Sequence, residues 1–228
     1  MVGKNLENII SLAKRRGFIY PGSEIYGGLA GTWDYGPLGA EMLHNIKEAW
    51  WEKFVSGRDD VYGITSSVIM PETVWTASGH LENFADPLEG EKFNIMFKSE
   101  AGALKDETIA VYLRPELAQG MFVNFKNIID SYHPKLPFGL AQIGRCFRNE
   151  ISPRDFLFRV REFDLMEFEY FVKENDWEKY FEFWRKEMWD WIKEIGIDEK
   201  DVHELEVPED NRAHYSKRTI DFEYDFPF

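Results

Sequence analysis

Apolar and polar positions along this chain repeat with two periods, and each period predicts a different element. Between Asp176 and Ile195 the period is helical: Trp177, Tyr180, Phe181, Trp184, Met188, Trp191, Ile192 and Ile195 form one stripe, and Gly196 follows. Aromatic side chains at this spacing predict core packing rather than a stacking surface for bases. Leu43, Ile46, Trp50 and Phe54 make a second helical pattern over Leu38 to Phe54, after Gly36-Pro37. Pro71 to Ser78 reads as a short helix with proline in its first turn and Gly79 beyond its end. Pro115 opens a further helix carrying Glu116 near its start, where the helix dipole alone would favour a carboxylate. An amphipathic helix around Leu6 to Ile10 stops at Gly17.

The other period is two. Phe156 to Phe171 is aromatic-rich and free of Gly and Pro, which predicts a strand. Alternation places Arg159, Arg161, Phe163, Glu167 and Glu169 on one face. Phe158, Val160, Met166, Phe168 and Tyr170 take the other, interrupted by Glu162 and Asp164. Phe138 to Phe147 reads as a second strand, with residues 149–155 as the loop of an antiparallel hairpin. One hairpin face then carries cations at its loop end, an aromatic ring in the middle and carboxylates beyond. Such a face suits a triphosphate, a flat base and a small cationic group in that order. Arginine and glutamate paired across a solvated sheet would produce the same pattern without any ligand.

Charge sharpens this picture. The chain has a net charge of −14, yet five of its twelve arginines (Arg145, Arg148, Arg154, Arg159 and Arg161) fall in this stretch, without a lysine. Arginine alone implies fixed planar forks, as for phosphate or carboxylate, rather than general positive charge. The acidity argues against broad nucleic-acid binding by this chain. With 228 residues, 44% of them hydrophobic, the chain can bury one sizeable core, or one core with a small appendage. A single cysteine, Cys146, excludes an internal disulfide and a cysteine-rich zinc site, and suits a small strand residue. His80, His133, His203 and His214 have no metal-ligand spacing. No apolar run approaches membrane-spanning length and the N-terminus is a poor signal peptide, so a cytoplasmic protein is expected.

Arg148-x-Glu150 followed by Arg159-x-x-x-Phe163-x-x-x-Glu167 resembles motif 2 of the class II aminoacyl-tRNA synthetases. Five further segments resemble the homodimeric glycyl-tRNA synthetases within that class: residues 33–39 (WDYGPLG), 78–80 (SGH), 93–97 (FNIMF), 113–120 (LRPELAQG) and 147–154 (FRNEISPR). The segment ending Val68-Ile69-Met70-Pro71 is similar to motif 1, whose proline lies at the dimer interface in that class. The resemblance implies an α+β class II synthetase catalytic fold over residues 1–228: a mostly antiparallel sheet flanked by helices. Motif 1 ends near 71, motif 2 spans about 145–169 and a helical segment spans 176–195. It also implies ATP with Mg2+ as substrate, glycine, tRNA(Gly), a homodimer, no membrane and no zinc. By the same resemblance Arg148 binds the α-phosphate and Arg159 the γ-phosphate, the two catalytic residues. Glu150 accepts from the adenine amino group, and Phe163 stacks on the ring. Asn149, Phe158, Val160, Arg161 and Glu162 complete the ATP site. Glu116 and Glu167 hold the glycine ammonium, with Phe163, Asp164, Leu165 and Met166 beside them.

The chain departs from the family pattern in three places. Residues 220–226 alternate as a strand close to the last residue, which predicts a sheet incomplete at the C-terminus. The family continues there into motif 3, with its ATP-binding arginine, and an anticodon-binding domain. Only six residues separate Asp86 from Phe93, where the family has a longer insert with a basic residue. Leu117 stands where threonine is usual, and Asp164-Leu165 also differ. Two readings follow: the N-terminal part of a glycine–tRNA ligase catalytic domain, as a fragment or one half of a split enzyme completed by a separate C-terminal half; or a non-catalytic relative serving as a binding or regulatory subunit.

Overall fold

The computed structural model describes residues 5–88, 90–104, 107–213 and 215–226; His214 lies outside them. Contacts divide the chain into two units. Leu12–Val172 forms the larger, and Met1–Ser11 with Lys173–Phe228 the smaller. Helix α1 spans Leu6–Arg15.

In the larger unit β1 (Ile19–Pro21) pairs with β2 (Trp33–Tyr35), and α2 (Pro37–Trp51) follows, ending in a π turn over Glu52–Ser56. Pro37 sits in the first turn, where a missing N–H costs nothing. Next come β3 (Val61–Gly63), β4 (Ile69–Pro71), α3 (Glu72–Ala77), α4 (His80–Asn83), β5 (Ala85–Leu88) and β6 (Glu91–Asn94). Then follow β7 (Lys98–Ala101), β8 (Ile109–Leu113), α5 (Ala118–Tyr132), β9 (Phe138–Phe147) and β10 (Glu162–Phe171). Among the described residues the antiparallel sheet is distributed over several small ones: β10-β9-β3, β4-β8-β7, β1-β2 and β5-β6. Among the described residues only the β3–β9 pairing is parallel.

The long ladder of β9 and β10 is the scaffold. Its register runs from Glu162 opposite Phe147 to Phe171 opposite Phe138. Alternation turns Phe163, Leu165, Glu167, Glu169 and Phe171 to one face, with Phe138, Leu140, Gln142 and Cys146 beside them. That face packs on α5, where Leu117, Met121, Phe138, Leu140 and Cys146 are fully buried together. On the opposite face Phe168 meets Trp50 and Phe54 of the α2 region at ring distances of 6.1 and 5.6 Å. A satellite core of Met70, Trp75, Met96 and Tyr112 holds α3 against β8. Burial pushes the Cys146 thiol up to about 12, so it serves as the small strand residue the sequence implied.

Two boundaries differ from expectation. The strand predicted from Phe156 begins at Glu162, because Asp155 and Phe156 both take left-handed backbone angles and an isolated Arg154–Arg159 bridge closes a tight loop. Arg159 and Arg161 therefore reach the site from a loop. The helix expected from Pro115 begins at Ala118, because Leu117 N–H and Arg114 C=O bond to Glu167 and to Phe147 N–H instead.

In the smaller unit α6 (Trp177–Glu194) matches the aromatic stripe, and Gly196 beyond it is left-handed. None of its residues is fully buried, so the stripe is a half-buried face. Strand β11 (Val202–Glu206) pairs antiparallel with β12 (Ile220–Tyr224). The terminal strand thus has a partner from the segment between Asp198 and Arg212. In that strand Glu204 accepts from the Arg185 guanidinium and the Trp189 indole N–H.

Candidate active site

The site forms where the β8–α5 connection crosses the first half of β10. Glu167 Oε2 accepts the Leu117 N–H at 2.9 Å, bringing the β10 carboxylate against the residue that follows Glu116. Two acidic side chains 51 positions apart in sequence thereby come close enough for the charge of one to act on the other. Their environments pull them in opposite directions. Burial pushes the Glu116 carboxyl up, but His80, then Gln119 and the Arg148 charge, outweigh it and hold it below the ordinary carboxylate range. Burial also pushes Glu167 up, and there the Leu117 N–H and the Glu116 charge work against each other with the net shift upward. Glu169, two residues on, is pushed to about 7 by burial and then by the negative charges of Glu167 and Glu116. This cluster of carboxylates carries an excess of negative charge that a small cation would neutralise.

Arg148 lies at its edge. Its Nε donates to Pro115 C=O at 3.3 Å, and the guanidinium sits 5.2 Å from the ring centres of both Phe84 and Phe163. A planar cation between two aromatic faces is held in orientation while its outer N–H groups stay available. Behind it Arg114, only 3% exposed, donates to Arg145 C=O and Ser66 C=O, tying β8 to β9 and to the residues before β4.

The loop between the two long strands supplies the remaining polar groups. Arg159 Nε donates to Glu150 Oε2 at 2.7 Å and its Nη2 to Asp86 Oδ2 at 2.9 Å, so this cation is held by two carboxylates. Glu150 is largely buried, and the Asn149 N–H is anchored on Ile95 C=O at 2.7 Å. Arg161 donates to Ala30 C=O and Glu150 C=O and pins the loop. Val160 is buried and Phe158 exposed.

Of the residues singled out in the sequence, Arg148, Glu150, Arg159, Phe163, Glu116 and Glu167 come together. Asp164, Met166 and Glu162 do not, since a period of two turns them to the α2 side. There Asp164 pairs with Arg145 and Lys47, and Glu162 with Arg145. Leu165 shares the Glu167 face but packs into the core. Sequence reasoning missed Phe84 and Asp86, which carry no local signal. His80 stood out only as part of Ser78-Gly79-His80; here its Nε2 lies 3.3 Å from Glu116 Oε1. Among the described residues no group of three or more His, Cys, Asp or Glu is disposed to hold a metal ion. Nor is any described helix long and apolar enough to cross a membrane.

Comparison with known proteins bears on this arrangement. The chain is 40% identical to a glycine–tRNA ligase of Macrococcus caseolyticus, over all of this chain and 62% of that protein. It is 41% identical to one from Mycolicibacterium paratuberculosis (all of this chain, 59% of that protein). It is 42% identical to one from Borrelia hermsii (98% and 57%). The chain thus spans about 60% of the length of these relatives. The first alignment runs over 286 positions for a chain of 228 residues, so that relative carries insertions. The RNA-binding domain of a threonyl-tRNA synthetase from Cryptosporidium parvum superposes with a TM-score of 0.62 at 19% identity, covering 86% of this chain and 43% of that one, which supports the fold. Residues 97–227, more than half of the chain and including the whole β9–β10 ladder, match the tRNA synthetase class II core domain (G, H, P, S and T), and the chain belongs to that family.

Proposed function

We propose that this chain carries the glycine-activating site of a glycine–tRNA ligase. The observation that carries the reading is the convergence of Glu116 and Glu167, through the Leu117 N–H, beside the stacked guanidinium of Arg148. Glycine offers only an ammonium, a carboxylate and small size, so paired carboxylates in a tight pocket suit it. Larger amino acids are excluded by volume, the direction of discrimination that needs no editing.

In this reading the glycine carboxylate attacks the α-phosphorus of ATP in line, a new C–O–P linkage forms, and pyrophosphate leaves. Catalysis is positioning and charge stabilisation, with Mg2+ arriving on the triphosphate. Arg148 meets the α-phosphate and Arg159 the γ-phosphate; Glu150 accepts from the adenine amino group and Phe163 takes the ring. Arg148 now covers one face of Phe163, so adenine would take that face as the guanidinium turns to phosphate. Glycine would then pass to the 3′ end of tRNA(Gly). Dimerisation through the strand ending at Pro71, where Ile69 is exposed, and a cytoplasmic setting complete the proposal. A purely regulatory role is less favoured, since it leaves the convergence of Glu116, Glu167 and Arg148 without a use.

Glycine-dependent ATP–pyrophosphate exchange tests this reading, with alanine as the competing amino acid and Arg148→Ala as control. Exchange that needs glycine and disappears in the control is expected. Exchange indifferent to glycine, or surviving Arg148→Ala, would contradict it.

A further inference from the structure

His80 is not among the residues to which the reaction has been assigned, yet its ring is held on several sides at the edge of the site. Its Nε2 faces Glu116 Oε1 at 3.3 Å, and its Nδ1 lies 2.8 Å from Ser78 Oγ. The ring is wedged between Trp75 and Phe84, at centre distances of 5.4 and 5.3 Å. Its side chain is 12% exposed and that of Glu116 27%. A neutral imidazole can donate from Nε2 only if Nδ1 accepts, which the Ser78 hydroxyl permits when it donates to Nδ1 at 2.8 Å rather than to Trp75 C=O at 3.3 Å. The chain order makes this possible: left-handed Gly79 turns the backbone so that Ser78 and His80 share one side.

We infer that His80 is a positioning residue for the amino acid: Ser78 sets its tautomer, and His80 fixes the Glu116 carboxylate so that its other oxygen faces the ammonium of the substrate. Glu116 lies outside α5, in the connection that precedes it, so no helical backbone holds its side chain. The neighbouring Glu167 is already fastened by the Leu117 N–H, whereas Glu116 depends on side chains alone. Phe84 joins this device to the nucleotide half of the site, because the ring that confines His80 also stacks on Arg148. The inference rests on the glycine-activating reading above.

The test compares two non-hydrolysable sulfamoyl adenosine conjugates, glycyl and acetyl, which differ only in the ammonium group. Affinities are measured by calorimetry on the full chain. Wild type should prefer the glycyl conjugate. In His80→Ala that preference should fall about ten- to a hundredfold, the range for a lost hydrogen bond to a charged group, while acetyl affinity holds. His80→Gln, whose amide nitrogen can replace Nε2, should restore most of it. Ser78→Ala, which leaves the ring packing intact, should show a smaller loss and guards against misfolding of His80→Ala. An unchanged preference in His80→Ala, or in Ser78→Ala if His80→Ala does not fold, would overturn the inference. So would equal weakening of both conjugates. A wild type that binds both alike would instead overturn the glycine reading, and this inference with it.

Discussion

The chemistry of this site is decided by how individual charges are held. Arg148 works as a plane: two aromatic faces orient it, which an ammonium on a flexible stem would not reproduce. Arg148→Lys should therefore lose about a hundredfold in kcat/KM for glycine-dependent exchange despite keeping the charge, an effect of roughly 2.7 kcal/mol; near-normal exchange would show that charge alone suffices. Arg159 has the opposite problem, since Glu150 and Asp86 already engage its Nε and Nη2. In the proposed reading a γ-phosphate would compete with Asp86 for the guanidinium. Asp86→Asn should lower the KM for ATP a few-fold with little change in the KM for glycine, because the ion pair is exposed and a weakened one costs little to break. A higher KM for ATP in this variant would mean that Asp86 assists the nucleotide.

At the level of elements, the site depends on close approaches between backbone segments. Gly39 in the first turn of α2 lies so near Phe18 that a Cβ there would sit 1.9 Å from its carbonyl oxygen. Gly39→Ala should destabilise the chain by about 2–3 kcal/mol through forced displacement of the helix, read as a lower midpoint in urea unfolding. An unchanged midpoint would mean that α2 can shift freely. These approaches also show what was legible in the sequence. Alternation over 163–171 announced β10 and its Glu167 face, and helical spacing announced α2 and α6. The long-range pairs were not legible: Leu117 N–H to Glu167, Arg159 to Asp86 and His80 to Glu116 join residues 36 to 73 positions apart. Local pattern carries no information about such contacts. Strand propensity also misled at 156–161, where aromatic and β-branched residues sit in a loop because Asp155 and Phe156 turn the chain.

For the molecule as a whole, an acidic chain concentrates further acidity inside its pocket, and this links stability to pH. Glu169 titrates at about 7 in the folded chain against an ordinary 4.5. Between those values the folded state keeps a proton that the unfolded state releases, so its contribution is fully present below 4.5 and is lost as pH rises through 7. Glu169→Gln should thus stabilise the chain by about 1–3 kcal/mol at pH 8 and hardly at all at pH 4.5, by thermal unfolding at the two pH values. Equal effects at both would show that Glu169 titrates normally. The same crowding of carboxylates is what an ammonium would relieve. The measurement that tests this most directly is a crystal structure of the chain with glycyl sulfamoyl adenosine. The account predicts the ammonium about 3 Å from both Glu116 and Glu167, with the sulfamoyl group against Arg148 and adenine on Phe163. An ammonium bound away from these two carboxylates would contradict it.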